Sequence, residues 1–107
     1  MQHEHLLVTT TCDDEERART LARSAVEART AACAQVVGPL TSTYWWDGKV
    51  TESKEWMVVF KTTAERFPDL ESHVKVHHTY EVPELVATPV TGGSSAYLDW
   101  ITQETRR

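Results

Sequence analysis

Cysteine is scarce here: Cys12 and Cys33 are the whole supply in 107 residues. Two thiols cannot build the disulfide framework of a small secreted domain, which leaves the expectation of free cysteines and a cytoplasmic location. Glycine and proline number four each, and no Pro/Gly/Ser-rich tract or repeat divides the chain. Long apolar runs are missing too. Stretches such as Trp56 to Phe60 fall far short of the roughly eighteen residues that a membrane span needs. Met1 to Val8 carries two His and one Glu where a signal peptide needs an apolar run. Positive charge is outnumbered: 16 acids face 11 Lys and Arg, for a net charge of -5. That balance repels phosphate backbones and anionic membranes, so neither nucleic acid nor membrane is an expected partner. No Ser/His/Asp order, phosphate loop, dinucleotide-binding turn or H-E-x-x-H is present, and no enzyme is expected.

What is present suits one domain over residues 1-107. The chain is 40% hydrophobic and long enough to bury a core, but any site must be small or shared between subunits. Leu6 to Thr11 reads as a buried strand. Asp13 and Glu16 then stand at capping-box spacing, and Ala18, Leu21, Ala22, Ala25 and Val26 recur with helical period. Arg17, Arg19, Arg23 and Arg29 form a solvated flank, with Glu15 and Arg19 at the favourable i, i+4 spacing. Ala32 to Val37 is a second strand, which Gly38-Pro39 bends or bulges. Thr41 to Trp46 and Val50 to Thr62 flank Asp47-Gly48, a dipeptide suited to a type I′ turn. The second arm, at about 3.3 Å per residue, extends on the order of 40 Å and projects beyond one small domain.

Thr62-Thr63-Ala64-Glu65 offers a second capping box, and Pro68 suits the first turn of the helix that follows. Leu70, His73, Val74 and His77 mark one face of that helix. Thr79 to Pro83 ends it, Leu85 to Val90 makes a last strand, and Gly92-Gly93-Ser94-Ser95 turns into a final helix with Tyr97, Leu98, Trp100 and Ile101. The order β-α-β-β-α-β plus a C-terminal helix predicts an α+β fold, the ferredoxin-like split βαβ sandwich, with a four-stranded antiparallel sheet and a long central hairpin. Strand 50-62 is apolar on both alternating sets, Trp56, Val58 and Phe60 against Met57 and Val59, so the sheet face without helices also needs burial. Oligomerisation supplies it.

Ala31-Ala32-Cys33, Tyr44-x-Trp46-x-Gly48-Lys49, Glu55, Lys61-Thr62-Thr63, His77-His78-x-Tyr80-x-x-Pro83-Glu84 and Ala96-Tyr97-Leu98-x-Trp100 follow one another at set spacings. In this order they resemble the CutA family of divalent-ion-tolerance proteins, from about Val8 to the last helix. The resemblance implies a ferredoxin-like homotrimer, similar to the PII signalling proteins, with long hairpins reaching across subunits. It also implies a link to copper and other divalent metals. Two positions depart from the family pattern: Thr79 stands where a proline commonly follows the histidine pair, and Thr10 stands where copper-binding members can carry cysteine. Cys12, two residues on, shares a strand face with Thr10 if the strand continues that far.

The candidate metal set is His77, His78, Cys12 and Glu81, with Glu84 nearby in sequence and the amino-terminal His3 and His5 as further candidates. Imidazole with carboxylate or thiolate suits Cu(II), Zn(II) or Ni(II), and the negative end of a helix dipole favours a cation. Copper leads because it tops the Irving–Williams order. Adjacent histidines point about 100° apart on a helix, so both meet one ion only where the helix has ended. The plainer reading is a helix end, one histidine bonded to a late carbonyl and the other set against Tyr80. Cys33 reads as packing. Tyr44, Trp46, Trp56 and Val58 are expected at a subunit interface rather than on a base- or sugar-stacking platform, and Glu55 with Lys61 reads as an interfacial pair. Gly92-Gly93-Ser94 reads as a turn and cap. The leading function is a trimeric, copper-responsive divalent-metal-tolerance protein. The alternative is a PII-like regulatory trimer that holds a small anionic ligand in its intersubunit clefts.

Overall fold

A computed structural model describes residues 4-107. The elements run β1 (His5–Cys12), α1 (Glu15–Glu27), β2 (Cys33–Trp46), β3 (Lys49–Thr63), α2 (Phe67–His77), β4 (Val86–Pro89) and α3 (Ser95–Glu104). The sheet order is β2-β3-β1-β4 with every described pairing antiparallel, the split βαβ arrangement. β1 does continue through Cys12, which pairs with Trp56. That extension moves the start of α1: Asp14, not Asp13, is the N-cap, and its carboxylate accepts from the Arg17 N–H at 3.2 Å. The second expected cap also shifts, because β3 runs on to pair Thr63 with His5. Thr62 is consumed by the sheet, donating its hydroxyl to the Thr30 carbonyl at 2.7 Å. Thr63 instead accepts from the Arg66 N–H, and α2 starts one residue later with Pro68 in its first turn.

One face of the sheet is the core. Val8, Val58 and Phe60 lie under Ala18, Leu21 and Ala25 of α1 and Leu70 and Val74 of α2, all buried. Burying each of the Val, Leu and Phe side chains contributes about 1.5–3 kcal/mol. The second face is not wholly bare. Lys61 donates to the Tyr97 hydroxyl at 3.2 Å and His5 bonds Thr102 at 2.9 Å, so α3 covers the end of that face nearest β1 and β3. Ser94 caps α3 by accepting from the Tyr97 N–H, which is the turn-and-cap role expected of Gly92 to Ser94. The remainder of the second face, Val37, Met57 and Val59, is left partly exposed.

Gly38-Pro39 is a bulge: the β2–β3 register slips between Val37 and Leu40, and the peptide is cis. Gly38 is required there, since a Cβ would stand 2.7 Å from Trp56 Cδ1. Beyond the bulge the hairpin projects to a turn in which Asp47 and Gly48 have φ of 51° and 76°, the two positive values a type I′ turn needs. The described residues extend 44 Å along their longest axis.

Candidate functional site

The end of α2, the end of β1 and the start of α1 enclose a groove of about 410 Å³ lined by Cys12, Asp14, Arg17, Ser24, His77 and His78, among others. Three of the four candidate ligands thus share one surface. Glu81 is exposed and is not part of that lining. His3 lies outside the described residues, and His5 is engaged with Thr102 at the opposite end of β1.

The two adjacent histidines diverge. At His78 the backbone has left the helix, with φ −79° and ψ 148°, and the ring turns toward β1. Its Nε2 lies 2.8 Å from the Thr11 carbonyl, which only accepts, so Nε2 carries the proton. Its Nδ1 accepts from the Tyr80 N–H at 3.0 Å. Both nitrogens are therefore occupied, and the Tyr80 ring lies against His78 with centroids 4.7 Å apart. Cys12 Sγ is 3.8 Å from the same Nε2. Burial, reinforced by Asp13 and Glu55, pushes the Cys12 thiol up to about 11. At neutral pH it is a thiol rather than a thiolate, which makes it no ready nucleophile.

His77 remains on the helix and exposed, with Nδ1 donating to the His73 carbonyl at 2.8 Å. Its ring stacks on that of His73, centroids 4.0 Å apart and planes 20° from parallel. His73 Nε2 meets Ser24 Oγ at 2.8 Å, and that hydroxyl donates in turn to the Leu21 carbonyl. With the hydroxyl directed to Leu21, the imidazole is the donor to the serine, the reverse of a base activating a nucleophile. Burial and, second, His77 hold His73 below the ordinary histidine range.

Glu55 and Lys61 do not pair within the chain. Glu55 is buried and accepts from the Tyr80 hydroxyl at 2.7 Å, while Lys61 goes to Tyr97. Burial and the Glu55 carboxylate raise the Tyr80 phenol well above its usual range. Of the interface set, Tyr44 and Trp46 are exposed on the hairpin and Trp56 is half-buried beside the bulge. Val58 is corrected: it is fully buried beneath the helices, because its strand parity matches Phe60 and directs it into the chain's own core. In the sequence His73 stands out only as part of a helix face. Its i, i+4 relation to His77 was the available signal, whereas Ser24 and Glu55 are brought in from other elements.

The family model described as CutA1 divalent ion tolerance protein matches residues 6–104. This chain belongs to that family. The divalent-cation tolerance protein CutA of Thermus thermophilus is 46% identical over 99 residues, covering 92% of this chain and 96% of that one. Human Protein CutA is 41% identical over 95 residues, 89% of this chain, and the chain spans 53% of its length. Among solved structures, the Thermus thermophilus protein matches with a TM-score of 0.92 at 45% identity over 95% of this chain and 99% of that one. CutA1 from Oryza sativa matches with a TM-score of 0.94 at 36% identity over 97% of this chain and 95% of that one. Divalent-cation tolerance is the function that family membership attaches to the chain. No group of three or more His, Cys, Asp or Glu among the described residues is placed to hold a metal, and no described helix is long and apolar enough to cross a membrane.

Proposed function

We propose that this member of the CutA1 family is a cytoplasmic homotrimer that binds a divalent cation, copper foremost, and contributes to metal tolerance as a binding protein rather than an enzyme. The observation that supports assembly is the hairpin. Trp45 and Trp46 are 75% and 69% exposed, and Tyr44 and Val50 beside them are exposed as well. An apolar cluster on a projecting two-stranded arm suits burial against other subunits. The groove supports a cation over the anionic ligand of a PII-like regulator, since Asp14 and Glu16 face a single Arg17 there. The unpaired Cys12 and Cys33 accord with a reducing compartment. His77, His78, Cys12 and Glu81 remain the candidate ligands on the chemistry of their side chains, and of them His77 is the one whose ring has a nitrogen with no described partner.

Light scattering across a dilution series tests the assembly, with the mass of three 12.1 kDa chains expected. A folded particle of one chain at micromolar concentration overturns it. Calorimetric titration with Cu(II) and, separately, with a panel of anionic metabolites tests the ligand class. Heat from an anion and none from Cu(II) favours the regulatory alternative.

A further inference from the structure

The hydrogen bonds of the histidines in and next to α2 leave different ring nitrogens open. A ring nitrogen facing a carbonyl must carry the proton, because a carbonyl cannot donate. That fixes His77 as Nδ1–H and leaves its Nε2 lone pair free toward solvent. With the Ser24 hydroxyl donating to the Leu21 carbonyl, His73 donates from Nε2, and its Nδ1 lone pair meets no donor among the described residues. His78, in contrast, spends both nitrogens on Thr11 and Tyr80. The adjacent pair His77 and His78 thus has one open lone pair, while the i, i+4 pair His73 and His77 has two.

We infer that His73 and His77 form a two-imidazole chelate on α2 for a divalent transition-metal ion, held through Nδ1 of His73 and Nε2 of His77. The inference rests on the reading that this chain binds a divalent cation, and it relocates the ligands. Side chains at i and i+4 are neighbours on a helix face, and the stacked centroids are already 4.0 Å apart. His77 is exposed and the outer torsion of an imidazole is soft, so its ring can swing to share an ion. His73 has its other N–H held by the Ser24 oxygen, the outer-shell arrangement that fixes tautomer and orientation in metal sites, whereas His77 gives up its bond to the His73 carbonyl as it swings. The histidines lie in the last two turns of α2, where the helix dipole favours positive charge. Lys75, between them in sequence, is turned to Glu71 at 3.5 Å. Two imidazoles with water completing the shell suit Cu(II), then Ni(II) and Zn(II).

The test is Cu(II) titration by calorimetry of the full chain carrying His3→Ala, which removes one of the two amino-terminal imidazoles as a competitor, the other, His5, being bonded to Thr102, with electron paramagnetic resonance of the bound ion to count coordinating nitrogens. In that background H73A and H77A should each weaken Cu(II) at least about tenfold, and S24A, acting by positioning His73, by about tenfold. H78A should leave affinity within twofold. His77 is exposed, so H77A remains readable even if H73A folds poorly. Loss of binding in H78A or C12S with H73A unchanged returns the ion to the groove and overturns this inference while leaving the cation-binding reading intact. Unchanged binding in all of these variants overturns it in the same way. No Cu(II) binding by the background protein overturns both.

Discussion

The two ends of the β2–β3 hairpin are made of the same secondary structure and obey opposite rules. At the base, from Glu55 to Thr63, alternate residues are buried beneath α1 and α2 and the ladder is held by a close-packed core. Along the arm, from Gly38 to Lys54, no residue is buried, and only backbone pairing and small contacts such as Tyr44 to Ser53 at 3.0 Å hold the strands together. A two-stranded ribbon alone is marginal in water. The base is thus stabilised by its own chain, while the arm carries its apolar residues outward, away from that core.

Substitutions can break or sharpen this contrast. The largest effect belongs to the base: Phe60→Ala, at a fully buried position, should cost about 3–5 kcal/mol in denaturant melts. A cost under about 1 kcal/mol would show that the sheet–helix core is not what holds the fold. Gly38→Ala sits at the junction, where the new Cβ meets Trp56, and about 1–3 kcal/mol of destabilisation is expected. If the variant matches wild type, the Trp56 ring moves freely and the junction is not tightly packed. Alkali should act on the base as well. The raised Cys12 pKa means the folded chain holds a proton that the unfolded chain releases, so the contribution is intact below the ordinary cysteine value of 9.0 and is lost as pH rises toward about 11. Cys12→Ser should flatten that stretch of the melting-versus-pH curve, and an unaltered slope argues against it. The smallest effect on the single protomer is expected from Trp45→Ser with Trp46→Ser, within about 0.5 kcal/mol in dilute protein where subunits are apart. The same pair should abolish assembly at high concentration, and a large destabilisation at both concentrations would mean that the arm supports its own chain.

Much of this was legible in the residues. The period of Ala18, Leu21, Ala22 and Ala25, the Asp47-Gly48 turn and the interruption at Gly38-Pro39 each have a local cause, and each falls where the pattern puts it. Boundaries were less legible. Whether Asp13 or Asp14 caps α1 depends on β1 reaching Cys12, which is decided by pairing with Trp56, 44 residues away in the chain (56 less 12). Val58 could be placed at an interface from the two-sided strand, because alternation separates two faces without saying which one the helices cover. The covering of the second face by α3 likewise depends on contacts such as Lys61 with Tyr97.

The sequence by itself determined the order of elements, the projecting hairpin and the family, because these rest on local propensities and on short motifs read along the chain. Only the tertiary structure decided the chemistry of the histidines. Ser24, 49 residues before His73, and Thr11, 67 residues before His78, determine where each ring keeps its proton. A lone pair is available to a ligand only where folding has brought no partner to it, and no pattern along the chain records that.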